Sequence, residues 1–253
     1  MNARRRRWLG LLATIPCSAW AATFSVNPIR LEMAASQRAT SVTIENYSPD
    51  PLWLQVRVYR WERKDGEDLL SEVEGDDQPI VTPPVFRLAP TGGSQLVRIG
   101  FPAAAIKAGE EREWRVVVEE LPTMQDSSTE AITNLERPVA PTAIALRVRV
   151  SIPLLQRPSQ VHQELLWTLD PLPLGHAKLT ARNVGSVTER LDEIQVAWAD
   201  EHHWRAQGPL YLFPGESRSF DVDAGSEIPA GPVQLSLLGT PRTLKSELVL
   251  SAQ

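Results

Sequence analysis

A single cysteine, Cys17, stands among the 253 residues, and it falls in an N-terminal stretch that reads as a leader. That stretch, MNARRRRWLGLLATIPCSAWAATF, has a basic run at Arg4–Arg7, a short apolar run from Trp8 to Pro16 and a small-x-small pattern at Ala19-Trp20-Ala21. This order is that of a secretory signal peptide, and the apolar run is too short to cross a bilayer. Cleavage is expected after Ala21. A lipid-modified cysteine needs a small residue before it, where Pro16 stands. The exported chain is therefore expected to hold no disulfide, and its stability must come from core burial.

Other absences narrow the function. Basic residues are in deficit: 26 Lys and Arg face 31 Asp and Glu, and cleavage would remove four more arginines and no acid. No broad basic surface is implied, so nucleic acid is not an expected partner. No later run is long and apolar enough for a membrane span, and a soluble chain without membrane insertion is expected. HExxH, CxxC, GxSxG and P-loop patterns are all missing, so no cofactor, metal or catalytic residue is expected. Asp200, Glu201, His202 and His203 form the one cluster that invites a metal reading. Adjacent strand residues face opposite ways, which suits chelation poorly, and a solvated turn is expected there. The acids Glu110, Glu111 and Glu113 read the same way, as a solvated strand entry.

Helical periodicity is absent beyond the leader, save that PAAAIKAGEE allows a turn. What recurs is a period of two. Val42 and Ile44 lie in phase; Leu52, Leu54, Val56 and Val58 alternate with Trp53, Gln55, Arg57 and Tyr59. Most tryptophans are expected in cores, with Trp53 as an out-of-phase exception. SQLVRIGF and EWRVVVEELP continue the pattern. The clearest case is TAIALRVRVSIPLLQRP, where Ile144, Leu146, Val148, Val150 and Ile152 oppose Arg147, Arg149 and Ser151. Short strands spaced by Pro, Gly, Asn and Asp predict an all-β chain of antiparallel sandwiches. A second strand series follows QRPSQVHQ, which reads as a hinge. The expected organisation is a signal peptide over 1–21, one sandwich over 22–158 and another over 159–253. GDDQPIV and the long QDSSTEAITNLERPVAP are expected to be loops.

Several segments together resemble the periplasmic pilus-assembly chaperones, the PapD-like family. TPPVFRLAPTGGSQLVRIG is similar to the family's most recurrent signature. FSVNPIRLEMAASQRATSVTIEN resembles its first strands, EREWRVVVEELP the penultimate strand of its first domain, and TAIALRVRVSIPLLQRP that domain's last strand. LTARNVGSVTERL and LYLFPGESRSF resemble its second domain. RVSIPLL and the long preceding loop resemble most the branch that serves archaic-type pili.

The resemblance implies two immunoglobulin-like β-sandwich domains in an L shape. It implies a periplasmic protein without enzymatic activity that binds, folds and caps pilus subunits and delivers them to an outer-membrane usher. The last strand of the first domain would be lent to a subunit, with Ile144, Leu146, Val148 and Val150 as the inserted row. The family anchors the subunit's C-terminal carboxylate with an arginine from the first strand, matched by Arg30, and a lysine from the last. That lysine is absent: ungapped alignment puts Ser151 at its place. Arg149 is the substitute favoured here, because guanidinium binds carboxylate bidentately, with Arg98 as a further basic candidate. Arg157 and Glu111 fall near the family's interdomain ionic contact. The competing reading is a secreted two-domain adhesin or carbohydrate-binding sandwich.

Overall fold

In a computed structural model the described residues are 24–64, 66–102, 110–122, 147–197, 203–223, 232–238 and 243–249. They form four sheets that make two β-sandwiches. The first sheet runs β1 (Phe24–Asn27), β3 (Ala39–Asn46), β8 (Ser94–Gly100), β6 (Ile80–Thr82). The second runs β2 (Leu31–Met33), β10 (Arg149–Gln156), β9 (Arg112–Glu120), β4 (Leu52–Lys64), β5 (Glu67–Ser71), with β7 (Val85–Leu88) also on β4. The third holds β11 (Leu165–Pro171), β12 (His176–Asn183) and β15 (Ser217–Asp223). The fourth runs β14 (His203–Leu212), β13 (Glu189–Ala197), β16 (Pro232–Leu238), β17 (Thr243–Val249). Among the described residues every strand pairing is antiparallel except β2 with β10.

The alternation seen in the sequence sets the first core. Val42 and Ile44 from β3, Val97 and Ile99 from β8, Leu54 and Val56 from β4, and Trp114, Val116 and Val118 from β9 meet between the two sheets. Each such side chain contributes about 1.5–3 kcal/mol of transfer free energy. Trp53 is 43% exposed, as its phase requires. Leu179, Leu191, Ile194, Val196, Val222 and Leu235 form the second core. A third cluster joins the sandwiches: Trp61 and Leu155 from the first meet Tyr211 and Phe213 from the second.

Each sandwich closes one corner with a buried asparagine. Asn46 donates its amide to the carbonyls of Asp50 and Ala89 and accepts from the Ser48 N–H. Asn183 donates to Val187 and Leu212 and accepts from the Gly185 N–H. Opposite each, a glycine at positive φ, Gly92 or Gly215, donates its N–H to that asparagine's carbonyl.

Two loop expectations change. GDDQPIV holds a 3-10 turn at Gly75–Asp77, and its end belongs to β6, which pairs with β8, Thr82 lying opposite Arg98. The strand entry at Glu110–Glu113 is solvated only at Glu110: Glu111 is buried and Glu113 half-buried, because the second sandwich covers them. PAAAIKAGEE lies largely outside the described residues, as do Asp200, Glu201 and His202 and the segment QDSSTEAITNLERPVAP.

Candidate functional site

β10 has two different edges. One is paired with β9 along its full length, from Arg149 opposite Glu119 to Gln156 opposite Arg112. The other is paired only at its end, where Leu154, Leu155 and Gln156 run parallel to Leu31, Glu32 and Met33. Among the described residues no strand covers that edge from Arg149 to Pro153. An uncovered edge presents backbone N–H and C=O groups to any strand laid beside it.

The two faces of β10 also differ. Ile152 and Leu154 enter the first core, and Val148 and Val150 pack on its rim, partly buried. Ile144 and Leu146 lie outside the described residues. On the opposite face Arg147, Arg149 and Ser151 are exposed. Leu155 on this face is fully buried, because it enters the cluster under the second sandwich. This explains the unbroken buried run from Ile152 to Gln156.

The expected anchor residues are not gathered in one place by any hydrogen bond or ion pair. Arg30 directly precedes β2, with its side chain only 12% exposed, and it pairs with Glu32. Its Nε is buried without a hydrogen-bond partner. Arg149 is 57% exposed at the side chain and faces Glu119 at 3.9 Å. Arg98 sits on β8 in the other sheet, exposed and opposite Ser41.

Arg157 and Glu111 do meet. Arg157 Nη1 donates to Glu111 Oε1 at 2.7 Å and to the Thr188 carbonyl at 3.1 Å, while its Nη2 reaches Glu32 Oε1 at 3.3 Å. The Thr188 N–H donates to Glu111 Oε2. Thr188 comes from the second sandwich, so an ion pair within the first is tied to the backbone of its neighbour. Burial raises the Glu111 carboxyl above its ordinary range despite Arg157. Burial, then the charge of Glu111, pushes Glu113 up to about 7.

Two site residues escaped the sequence reading. Arg115 on β9 lies opposite Pro153, its guanidinium 3.7 Å from the Trp61 ring centroid and 3.5 Å from Asp68. Arg63 donates to Glu216 at 2.9 Å and to the Tyr211 carbonyl at 2.7 Å, a second polar tie across the joint. Arg115 had a signal: it is in phase with Glu113 and against the core row Trp114, Val116 and Val118. No group of His, Cys, Asp and Glu among the described residues could hold a metal.

No curated protein sequence matches the chain. Among solved structures, a chain of the CsuC–CsuE chaperone–tip subunit pre-assembly complex from archaic pili of Acinetobacter baumannii shares 19% identity at a TM-score of 0.59, covering 90% of this chain and 98% of that one. The Salmonella enterica SafA pilin–SafB chaperone complex gives 16% identity and a TM-score of 0.61, covering 92% and 99%. The Pseudomonas aeruginosa CupB2 chaperone gives 17% and 0.57, covering 90% and 100%. At these identities the likeness is one of fold. The sequence model described as "Pili and flagellar-assembly chaperone, PapD N-terminal domain" matches residues 23–162, more than half of the chain. The chain belongs to this family and is a pilus-assembly chaperone built of two β-sandwiches.

Proposed function

We propose that the uncovered edge of β10 receives a pilus subunit and that Arg30 holds the subunit's C-terminal carboxylate. The observation that carries this is the geometry of that edge: it is open from Arg149 to Pro153 and ends beside Leu31, next to the covered guanidinium of Arg30. Strand addition draws affinity from main-chain hydrogen bonds and specificity from alternate side chains. The row Ile144, Leu146, Val148 and Val150 supplies those side chains, with its last two members already at the rim of the chaperone's own core. Arg149 assists as an exposed cation beside the strand. Arg157, Glu111 and Thr188 hold the second sandwich against the first, across a division near residue 158.

The chaperone works in the periplasm after removal of residues 1–21 and passes its subunit to an outer-membrane usher. Resemblance of RVSIPLL to the archaic branch, and fold likeness to a chain from an archaic-pilus complex, support a place in that branch.

Co-expression with a subunit tests the reading. Leu146→Glu should abolish subunit recovery and leave the chaperone's melting temperature unchanged; a variant that unfolds instead makes the row ordinary core. Arg30→Ala should reduce capture by about thirtyfold or more, the loss for one partner of a covered charge pair. Amidation of the subunit's C-terminus should make that loss vanish; additive losses would remove Arg30 from the anchor.

A further inference from the structure

We propose that Glu32 is an internal stand-in for the subunit's carboxylate: it occupies Arg30 in the free chaperone and gives it up when a subunit arrives. The proposal rests on the assignment of Arg30 as the anchor. Leu31 and Met33 are buried in the core, so Glu32 on β2 and Arg30 just before it, at alternate positions, share the opposite face. Arg30 Nη2 contacts Glu32 Oε1, and the same oxygen accepts from Arg157 Nη2 at 3.3 Å. One carboxylate oxygen thus sits between two guanidinium groups.

The Nε–Nη2 side of a guanidinium is a two-pronged seat for a carboxylate. In Arg30 only one prong is filled, since Nε is buried with no hydrogen-bond partner. Glu32 neutralises the arginine without satisfying it. An arriving carboxylate with both oxygens free can take both prongs.

The partners are also unequal in cover. The Arg30 side chain is 12% exposed and the Glu32 side chain 45%. A covered cation needs a counter-charge while it waits. A half-exposed carboxylate loses little on returning to water. Glu32 is therefore the displaceable member, and after release it still has Arg157, the residue that ties the first sandwich to Thr188.

The test uses the full mature chaperone and a synthetic hexapeptide of alternating valine and threonine, made with a free C-terminal carboxylate and as its amide. Binding is followed by the Arg30 Nε–H resonance and by titration. The wild type should prefer the carboxylate form. Glu32→Gln should strengthen that form about two- to fivefold, the span of a half-exposed ion pair, and leave the amide unchanged. Arg30→Ala should erase both the preference and the gain. Glu32→Asp keeps the charge beside Arg157 with a shorter reach; it should give a smaller gain of the same sign, and it serves if Glu32→Gln lowers thermal stability. If wild type binds the two peptides alike, Arg30 is no anchor and the stand-in falls with it. If the preference is present but neither Glu32 variant increases it, the anchor stands and the stand-in alone is overturned.

Discussion

Replacing Trp61 with alanine should split the cooperative unfolding of the two sandwiches. Trp61 lies on β4 on the face away from the first core, fully buried. Its ring meets Tyr211 edge-on at 5.3 Å and Phe213 at 4.7 Å, both from the second sandwich. The Arg115 guanidinium covers it at 3.7 Å. Truncating a buried tryptophan costs about 3–5 kcal/mol, and each edge-to-face ring pair adds about 0.5–1.5 kcal/mol beyond area. These contributions overlap, so a loss on the order of 4 kcal/mol is expected. Trp61 is not part of the first core cluster, so the loss falls on coupling rather than on either interior. The polar ties that remain, Arg63 to Glu216 at 2.9 Å and Arg157 to Thr188 at 3.1 Å, lack an apolar seal. Calorimetry should show one transition for wild type and two for the variant, with a van't Hoff enthalpy below the calorimetric one. A single transition within about 2 °C of wild type would refute the reasoning, because a loss of this size moves a midpoint further.

Glu113 should make stability fall as pH rises. Its pKa is raised from 4.5 to about 7 in the folded state, so folding favours the protonated form; that stabilisation is fully present below pH 4.5 and lost as pH rises through about 7. Glu113→Gln should flatten the profile in urea unfolding between those values and add about 3 kcal/mol at pH 8; an unchanged slope would count against it. Arg157→Ala strands Glu111, whose side chain is 1% exposed, and should cost about 3–5 kcal/mol in denaturant unfolding. Arg205→Ala, which breaks a half-exposed pair with Glu193, should cost about 0–1 kcal/mol, and equal losses for the two would contradict the burial argument. Asn46→Ala leaves the Asp50 and Ala89 carbonyls without their donor, for a loss of about 2–4 kcal/mol in the same assay.

The period of two made the sandwiches legible, because one face of each strand meets the core and the other does not. It placed Val42 and Ile44 inside and Trp53 outside, as observed. It failed where a second layer covers the outer face. Glu111 looked like a solvated acid, and nothing local to EEREW announces that Thr188, seventy-seven residues on, lies against it. Leu155 and Trp61 are hidden for the same reason: their cover comes from Tyr211 and Phe213. The Arg157–Glu111 pair was reachable only through family resemblance, since its members are forty-six residues apart. Glu32 carries no signal of its own, because a charged residue between Leu31 and Met33 looks like any outward strand position.

The three paired residues of β2 act as an end-stop. They occupy the same edge of β10 that is open upstream, from Leu154 onward. A strand laid along Arg149 to Pro153 therefore cannot slide forward past Leu154. In a sheet, a slip of one residue turns every side chain to the wrong face. For a strand laid there, the backbone would supply a ruler with a fixed zero, beside Arg30 at the start of β2. On the proposed function, length as well as sequence would be something this edge measures.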